Sequence, residues 1–323
     1  MKAKNCLIFG GSGQIGRQLI RKLTKNNYKV TVVTRNIHQK SYIIKTQANA
    51  GYIDICEANI FEEKKIRQLF KKADICINLI GILYENKRGN TFENIHSIFP
   101  SLLAKLCKEY EIKQFIHLSA LGINDATDSN YAKSKLQGEK NIQKNYFLST
   151  ILRPSVVYSV DDNFTTNFMT LLNILPFFPL YYNGSTKFMP IHCSDLTDII
   201  YNVVSKNINS QIIECVGPET ITFKDILKRL LKVMNKNRIL IPMPLFLAKL
   251  TARFFQIFPK PLLTIDQLRL LKYDNIPSGK YKTNFEIDCP SSRFFDEEVE
   301  KYSYMWREGG QFSTKKYNSD KDI

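Results

Sequence analysis

The stretch NCLIFGGSGQIGRQLIRKL, residues 5–23, decides the fold. A short apolar run ends in glycines, and apolar residues then recur at helical spacing, which predicts a strand, a tight turn and a helix. Glycines at such a turn let the backbone approach a pyrophosphate, and the helix that follows offers free N–H groups and the positive end of its dipole. The pattern G-x-G-x-x-G therefore predicts a dinucleotide site formed by Gly10, Gly11, Ser12, Gly13, Gln14, Ile15 and Gly16.

The second predicted strand, within YKVTVVTRN at residues 28–36, indicates which dinucleotide binds. NAD-binding proteins usually carry an Asp or Glu near the end of this strand, where it binds the ribose 2′-hydroxyl. Here the strand ends in Arg35, whose guanidinium can bind a 2′-phosphate through two hydrogen bonds, and Arg17 is a second candidate on the same side. The missing carboxylate favours NADP(H), with NAD as the second choice.

Beyond this unit the chain continues to alternate strands and helices. We expect strands at 51–57, 74–81, 113–122 and 149–158, and helices at 62–72 and 92–110. Such alternation predicts an α/β fold with a doubly wound parallel sheet. Because ligands bind at the carboxyl ends of the strands in these sheets, the expected site also includes Leu79, Ile80, Gly81 and Ser119.

The segment SNYAKSKLQGEK, residues 129–140, is either an ordinary solvated helix or the carrier of an acid–base pair. On a helix Lys135 lies about 40° from Tyr131, whereas Lys133 and Lys140 lie on the opposite side, in solvent. A nearby ammonium group lowers the pKa of a phenol from its usual ~10, which makes tyrosine a useful acid or base. Ser119, whose hydroxyl could orient a carbonyl, completes the expected catalytic set.

Over about residues 5–300, the glycine turn followed by Ser119, Tyr131 and Lys135 resembles the extended short-chain dehydrogenase/reductase superfamily. The resemblance implies that Lys135 holds the nicotinamide ribose and that Tyr131 exchanges a proton during hydride transfer. It also places Asn59 where an Asp commonly lies near adenine. With Ile60 and Pro154, these residues complete the expected cofactor contacts.

Four phrases, NLIGILYE, FIHLSALG, YAKSKLQGE and LTIDQLRLLKYDNI, are similar to an atypical branch of that superfamily. The branch contains the NAD(P)H-binding accessory subunit of respiratory complex I and its bacterial relatives. This similarity implies that NADPH is held with a structural role and little or no turnover. The alternative is an oxidoreductase or an epimerase/dehydratase that acts on a nucleotide sugar or a ubiquinone-pathway intermediate, which the intact catalytic set favours.

Composition narrows the class of partner. The formal charge is +16, and residues 1–53 contain ten Lys or Arg and no Asp or Glu. This bias suits an anionic ligand or surface, or else reflects only a lysine-rich composition. No nucleic-acid motif is present, and scattered cysteines and histidines predict neither disulfides nor a metal site. Without a signal peptide or a long apolar run, we expect a cytoplasmic protein, peripheral on the cytoplasmic membrane face.

We expect residues 1–160 to form the NADP(H)-binding domain, completed by about 187–217. The capping region would comprise about 160–190 and 218–300, and residues 305–323 would be a polar tail.

The segment LFLAKLTARFFQIF, residues 245–258, is bounded by prolines and predicts a short helix with a wide apolar surface. The helix is either buried between the capping region and the sheet, or exposed. If exposed, it would dock on complex I subunits or on the membrane surface.

Overall fold

The computed structural model describes residues 3–86, 89–256, 261 and 263–310. Its main sheet has eight strands, all parallel to their neighbours, in the order β14-β11-β6-β5-β4-β1-β2-β3. The strands are β1 Asn5–Phe9, β2 Lys29–Thr34, β3 Ile53–Glu57, β4 Ile75–Asn78, β5 Gln114–Leu118, β6 Ser149–Pro154, β11 Ile212–Cys215 and β14 Lys282–Thr283. The reversal between β1 and β4 is the switch point at which doubly wound sheets bind ligands, so the predicted fold class is confirmed.

Three two-stranded ladders lie outside the main sheet, each built from short strands. They pair β7 Val157–Tyr158 with β10 Ile191–His192, β9 Lys187–Phe188 with β12 Ile221–Thr222, and β8 Phe177–Leu180 with β13 Ile239–Pro242. The helices are α1 Gln14–Lys25, α2 Ile37–Lys45, α3 Glu63–Phe70, α4 Phe99–Glu109, α5 Asn130–Asn145, α6 Thr165–Ile174, α7 Cys193–Ser205, α8 Phe223–Met234, α9 Leu245–Phe255, α10 Ile265–Leu270 and α11 Phe295–Ser303.

Helices cover both faces of the main sheet, which explains why its central strands are apolar on both sides. On one face α1 and α7 pack against β1, β2, β4 and β5, with Leu19, Ile20 and Ile199 fully buried. On the other face α3, α4 and α5 pack against the same strands, through side chains such as Phe70 and Leu103.

A third apolar core belongs to the capping region. It gathers aromatic and aliphatic side chains from α6, β8, α8 and α11, including Phe178, Phe223 and Phe295. One short strand departs from the predicted division: β14 falls within 218–300, yet it pairs with β11 at the edge of the main sheet. Among the described residues, no helix is long and apolar enough to cross a membrane.

Several predicted elements have different bounds in the structure. The helix expected at 92–110 begins as a π-helical segment, Glu93–Ile98, before α4. The strand expected at 149–158 is interrupted after Pro154, where the chain leaves the main sheet for β7. The helix expected at 245–258 ends at Phe255, and positions 257–258 and 311–323 lie outside the described residues.

Helix α5 is fixed to the sheet by a buried ion pair. Glu139 accepts two hydrogen bonds from the Arg153 guanidinium in β6, from Nε at 3.0 Å and from Nη2 at 2.5 Å, and both side chains are almost fully buried. The face of the Arg153 guanidinium lies 4.6 Å from the ring centroid of Tyr281. Paired in this way, the two charges do not carry the cost that an isolated charge would have in the core.

Removing one partner of the buried pair should destabilise the fold strongly. We expect Glu139→Ala to lower the free energy of unfolding by ~3–5 kcal/mol, because it leaves the Arg153 charge buried and unpaired. Glu63→Ala, which removes the exposed i,i+4 partner of Arg67, should cost less than about 1 kcal/mol. Urea unfolding followed by circular dichroism measures both, and equal losses would contradict the assignment.

Candidate functional site

A cleft of about 290 Å³ opens at the carboxyl ends of β1–β4, beside the glycine turn. Of the residues predicted as cofactor contacts, nine line it: Gly10, Ser12, Gly13, Arg35, Asn59, Ile60, Leu79, Ile80 and Gly81. The other predicted contacts lie outside this lining: Gly11, Gln14, Ile15, Gly16, Arg17, Ser119, Tyr131, Lys135 and Pro154. Half of the predicted cofactor contacts thus line the cleft, whereas the catalytic candidates Ser119, Tyr131 and Lys135 lie outside its lining.

The glycine turn is shaped by close approach of its own backbone. Gly10 has φ +86°, a conformation that side chains other than glycine rarely adopt. A Cβ added to Gly16 would lie 2.5 Å from the carbonyl oxygen of Gly10 and from the Cα of Gly11, so α1 can approach the turn only without a side chain there.

Unlike Gly16, Gly13 has open space beside its Cα. A Cβ added there would meet only the Gly10 oxygen, at 3.5 Å, and the residue is exposed at the mouth of the cleft. Gly13 is also the N-cap of α1, and no side chain caps that end of the helix. Open space before an uncapped helix N-terminus fits a phosphate group, as the turn predicts.

Where β2 ends, the cleft is lined by positively charged side chains. Arg35 Nη1 donates to Asn90 Oδ1 at 3.2 Å, and both residues line the cleft with Lys40. Arg17, the second predicted candidate for a 2′-phosphate, instead forms an ion pair with Asp161 and lies outside the cleft lining.

Lys135 is buried and points towards the end of β5. Its ammonium donates to the Leu118 carbonyl oxygen at 2.9 Å, and a Cβ added to Gly81 would lie 3.5 Å from it. Burial lowers the pKa of Lys135 to about 8, against the opposing effect of Glu139. Lys133 and Lys140 are exposed, as helical spacing predicts.

Tyr131 is enclosed by aromatic rings. Its ring meets His96 edge-on at a centroid distance of 5.2 Å and Phe92 at 5.9 Å. Burial, and to a lesser degree the charge of the nearby Asp266, raise the pKa of Tyr131 to about 12. The expectation that Lys135 lowers this pKa is therefore wrong for this arrangement, because burial and a carboxylate act in the opposite direction.

Asp266 of α10 caps the N-terminus of α5. Its carboxylate accepts from the Ser129 hydroxyl at 2.7 Å, the Asn130 N–H at 2.7 Å and the Tyr131 N–H at 2.9 Å. The Ser129 hydroxyl in turn accepts from the Ala132 N–H at 3.2 Å. The capping region thus holds the first turn of the helix that carries Tyr131 and Lys135.

His96 connects the cleft to α5. The Ile82 N–H donates to His96 Nε2 at 3.1 Å, so the ring carries its proton on Nδ1, which donates to the Ser134 hydroxyl at 2.9 Å. The Ser134 hydroxyl donates to the Tyr131 carbonyl oxygen at 2.8 Å. Burial lowers the pKa of His96 to about 2, which keeps the ring neutral.

Ser119 follows β5 directly, and its N–H donates to the Leu152 carbonyl oxygen at 2.7 Å. Its hydroxyl oxygen is buried and has no hydrogen-bond partner within the described part of the chain. A buried hydroxyl of this kind calls for an explanation, and a ligand oxygen would supply its partner.

Sequence reasoning missed Lys40, Asn90, His96 and Asp266. Lys40 lies in the first turns of α2, only five residues after Arg35, so its proximity in the sequence carried a signal. His96 and Asp266 carried none, because each reaches Tyr131 or its helix from a distant part of the chain.

Comparison with known families agrees with this architecture. A model of the NAD dependent epimerase/dehydratase family matches residues 6–212. The chain therefore belongs to that family, whose match spans the strands from β1 to the start of β11 and includes Tyr131 and Lys135.

Two mitochondrial proteins are similar to this chain over most of its length. "NADH dehydrogenase [ubiquinone] 1 alpha subcomplex subunit 9, mitochondrial" of Arabidopsis thaliana is 25% identical over 315 residues, which cover 94% of this chain and 78% of the relative. "NADH-ubiquinone oxidoreductase 40 kDa subunit, mitochondrial" of Neurospora crassa is 23% identical over 279 residues, covering 85% and 72%.

Solved structures share the fold at lower sequence identity. The Bordetella bronchiseptica enzyme WbmG, solved in complex with NAD, superimposes with a TM-score of 0.71 at 12% identity and covers 94% of each chain. At this identity the likeness establishes the fold alone.

Substitutions at two glycines of the turn should distinguish an effect on protein stability from an effect on NADPH binding. We expect Gly16→Ala to lower the free energy of unfolding by ~1–3 kcal/mol, because the new methyl group overlaps the turn. Gly13→Ala should change it by less than about 1 kcal/mol, yet weaken NADPH binding about tenfold or more through steric overlap with the phosphates. Urea unfolding without nucleotide and an NADPH titration measure these effects, and unchanged NADPH affinity in Gly13→Ala would contradict the assignment.

Asp266→Asn should lower the pKa of Tyr131 below about 12, since it removes a negative charge from the first turn of α5. An NMR titration with isotope-labelled tyrosine measures this pKa, with Tyr131→Phe to assign the signal. Asp128→Asn, a nearby carboxylate that instead approaches Lys272 at 3.9 Å, is the matched control. A tyrosine pKa that moves in the control but not in Asp266→Asn would be inconsistent with this role.

Proposed function

We propose that this protein is an NADPH-binding accessory subunit of an NADH:ubiquinone oxidoreductase, and that it holds its nucleotide with little or no turnover. The observation that carries the proposal is the extent of the match to relatives named as subunits of that enzyme. It reaches 94% of the chain for the Arabidopsis protein, so it includes the capping region as well as the nucleotide cleft.

The surroundings of Tyr131 support a holding role. A general acid or base works best with a pKa near the working pH, and Tyr131 has a pKa raised to about 12. The edge-on contacts of its ring with Phe92 and His96 also fix the position of the side chain. In the proposed role Tyr131 and Lys135 bind the nicotinamide ribose and keep the nucleotide in place.

One observation favours a second candidate, an oxidoreductase or epimerase/dehydratase that acts on a nucleotide sugar or a ubiquinone-pathway intermediate. The buried Ser119 hydroxyl has no hydrogen-bond partner in the described chain, and it follows the strand whose last residue accepts a hydrogen bond from Lys135. In an enzyme of this class, that hydroxyl would bind the oxygen of a substrate carbonyl.

The choice of NADP(H) over NAD rests on the charge of the cleft. Arg35 and Lys40 line its end at β2, and no Asp or Glu is among the described residues that line it. Glu57, at the end of β3, accepts a hydrogen bond from the Ile37 N–H at the start of α2, at 3.2 Å. A 2′-phosphate would therefore meet two cations in the lining of the cleft, while Glu57 lies outside that lining.

Arg35 should set the cofactor preference. We expect the wild type to bind NADPH more tightly than NADH by ~1.5–3 kcal/mol, the usual contribution of hydrogen bonds to a charged group, and Arg35→Ala to lose most of this difference. Calorimetric titration of both nucleotides measures it. Arg21→Ala, an exposed arginine of α1 bonded to Gln47, is the control, and equal affinities in the wild type would refute the NADP(H) assignment.

Docking through α9 is part of the proposed function. The structure favours the exposed alternative, because Ala248 and Ala252 are buried whereas Phe246 and Leu250 are 69% and 64% exposed. The protein would use this apolar surface where it meets the membrane-bound enzyme.

We expect Phe246→Asp with Leu250→Asp to release the protein from membrane fractions while it stays folded and binds NADPH. Phe147→Asp with Leu148→Asp changes an equivalent exposed pair elsewhere and should have no such effect. Affinity purification from detergent-solubilised membranes, with mass spectrometry of proteins and nucleotide, measures both. A wild type that brings down neither oxidoreductase subunits nor NADPH would refute the proposed function.

A further inference from the structure

A groove of about 570 Å³ lies between α9 and α10, separate from the nucleotide cleft. Its apolar lining consists of Leu245, Phe246, Leu250, Ile265 and Leu268. Around these side chains stand four cations, Lys249, Arg253, Arg269 and Lys272, and a single acid, Asp128. The groove therefore combines an aliphatic floor with a strongly positive rim.

The positive charge of the rim is only loosely compensated. Lys249 and Arg253 lie four residues apart on one edge of α9, and neither has an ion pair among the described residues. Arg269 approaches Asp266 at 3.7 Å, although that carboxylate already accepts three hydrogen bonds from α5. Lys272 approaches Asp128 at 3.9 Å, so an anion in the groove would meet two cations of α9 that have no ion pair among the described residues and two that have only long ion pairs.

Further apolar side chains are exposed on the two strands that precede α9. The ladder of β8 and β13 exposes Phe177, Ile239 and Ile241, and β13 leads into α9 through residues 243–244. A surface of this extent, edged by cations, is typical of proteins that lie in the interface of an anionic membrane. At ~1.5 Å per residue α9 is about 16 Å long, too short to cross a bilayer, so it would lie along the surface.

We infer that the groove between α9 and α10 binds the headgroup of an anionic phospholipid, with the apolar lining in contact with the adjoining acyl chains. This inference rests on the proposed docking at a membrane and names what α9 meets there. Lysine and arginine bind phosphate through charge-assisted hydrogen bonds, and their long stems can lie along acyl chains. The volume falls within the ~300–1,000 Å³ typical of small-molecule sites. An acidic peptide would match the charge but would leave the aliphatic floor without an equivalent partner.

The test uses the full chain and a defined lipid probe. Calorimetric titration with dihexanoyl phosphatidic acid, kept below its micelle concentration, is expected to show binding at least about tenfold tighter than dihexanoyl phosphatidylcholine, since the anionic headgroup adds charge-assisted bonds. Flotation with phosphatidylcholine vesicles, with and without phosphatidic acid, should show the same preference, and binding should weaken as salt concentration rises.

The variant Lys249→Glu with Arg253→Glu should abolish the preference for phosphatidic acid. Both residues are exposed on α9, so the change should not unfold the protein. Lys133→Glu with Lys140→Glu makes the same change in net charge on the exposed face of α5 and should leave lipid binding intact. Arg269→Gln, on the opposite wall of the groove, is a second variant expected to weaken binding.

Equal binding of the two short-chain lipids, or an unchanged preference in the α9 variant, would overturn the inference. So would a purified protein that binds the detergent-solubilised oxidoreductase through the same four cations yet binds neither lipid, because the groove would then hold a protein segment. NADPH content and co-purifying subunits are read separately, so failure of the lipid site is distinguishable from failure of the proposed function.

Discussion

The buried pair of Glu139 and Arg153 determines where the candidate site can be. It fixes the middle of α5 to β6, and Lys135, one turn earlier on α5, is thereby held with its ammonium on the Leu118 carbonyl oxygen. Glu139 also opposes the effect of burial on the pKa of Lys135. Without the pair, α5 would lose its buried link to β6, and Lys135 would lose the carboxylate that opposes the effect of burial on its pKa.

The same helix distinguishes what nucleotide binding needs from what proton transfer needs. Holding a nucleotide requires only space, donors and charge, which Gly13, Arg35 and Lys40 provide at the carboxyl edge of the sheet. Proton transfer additionally requires a phenol whose pKa lies near neutrality. Burial and, to a lesser degree, the charge of Asp266 raise the pKa of Tyr131 away from that range, although Tyr131 and Lys135 are both present on α5.

The sequence predicts most of what depends on local pattern. The glycine turn, the parallel sheet and the burial of Lys135 relative to Lys133 and Lys140 follow from spacing alone, and the structure confirms them. The features that the sequence could not predict depend on residues far apart in the chain. The pKa of Tyr131 was misjudged because it depends first on burial by the folded chain and then on Asp266, which lies 135 positions away. The pairing of β14 with the main sheet could not be predicted from a periodic sequence pattern either, because the strand pairs with β11 through two residues.

The cap that Asp266 places on α5 has a consequence for local unfolding. The first N–H groups of a helix have no partner within it, and those of Asn130 and Tyr131 are satisfied by a carboxylate from α10. These two amides can exchange with solvent only when α10 moves away or α5 frays, so their protection from hydrogen exchange measures how firmly the capping region is seated. Hydrogen exchange at the Asn130 and Tyr131 amides of the larger domain therefore reports on the stability of the capping region.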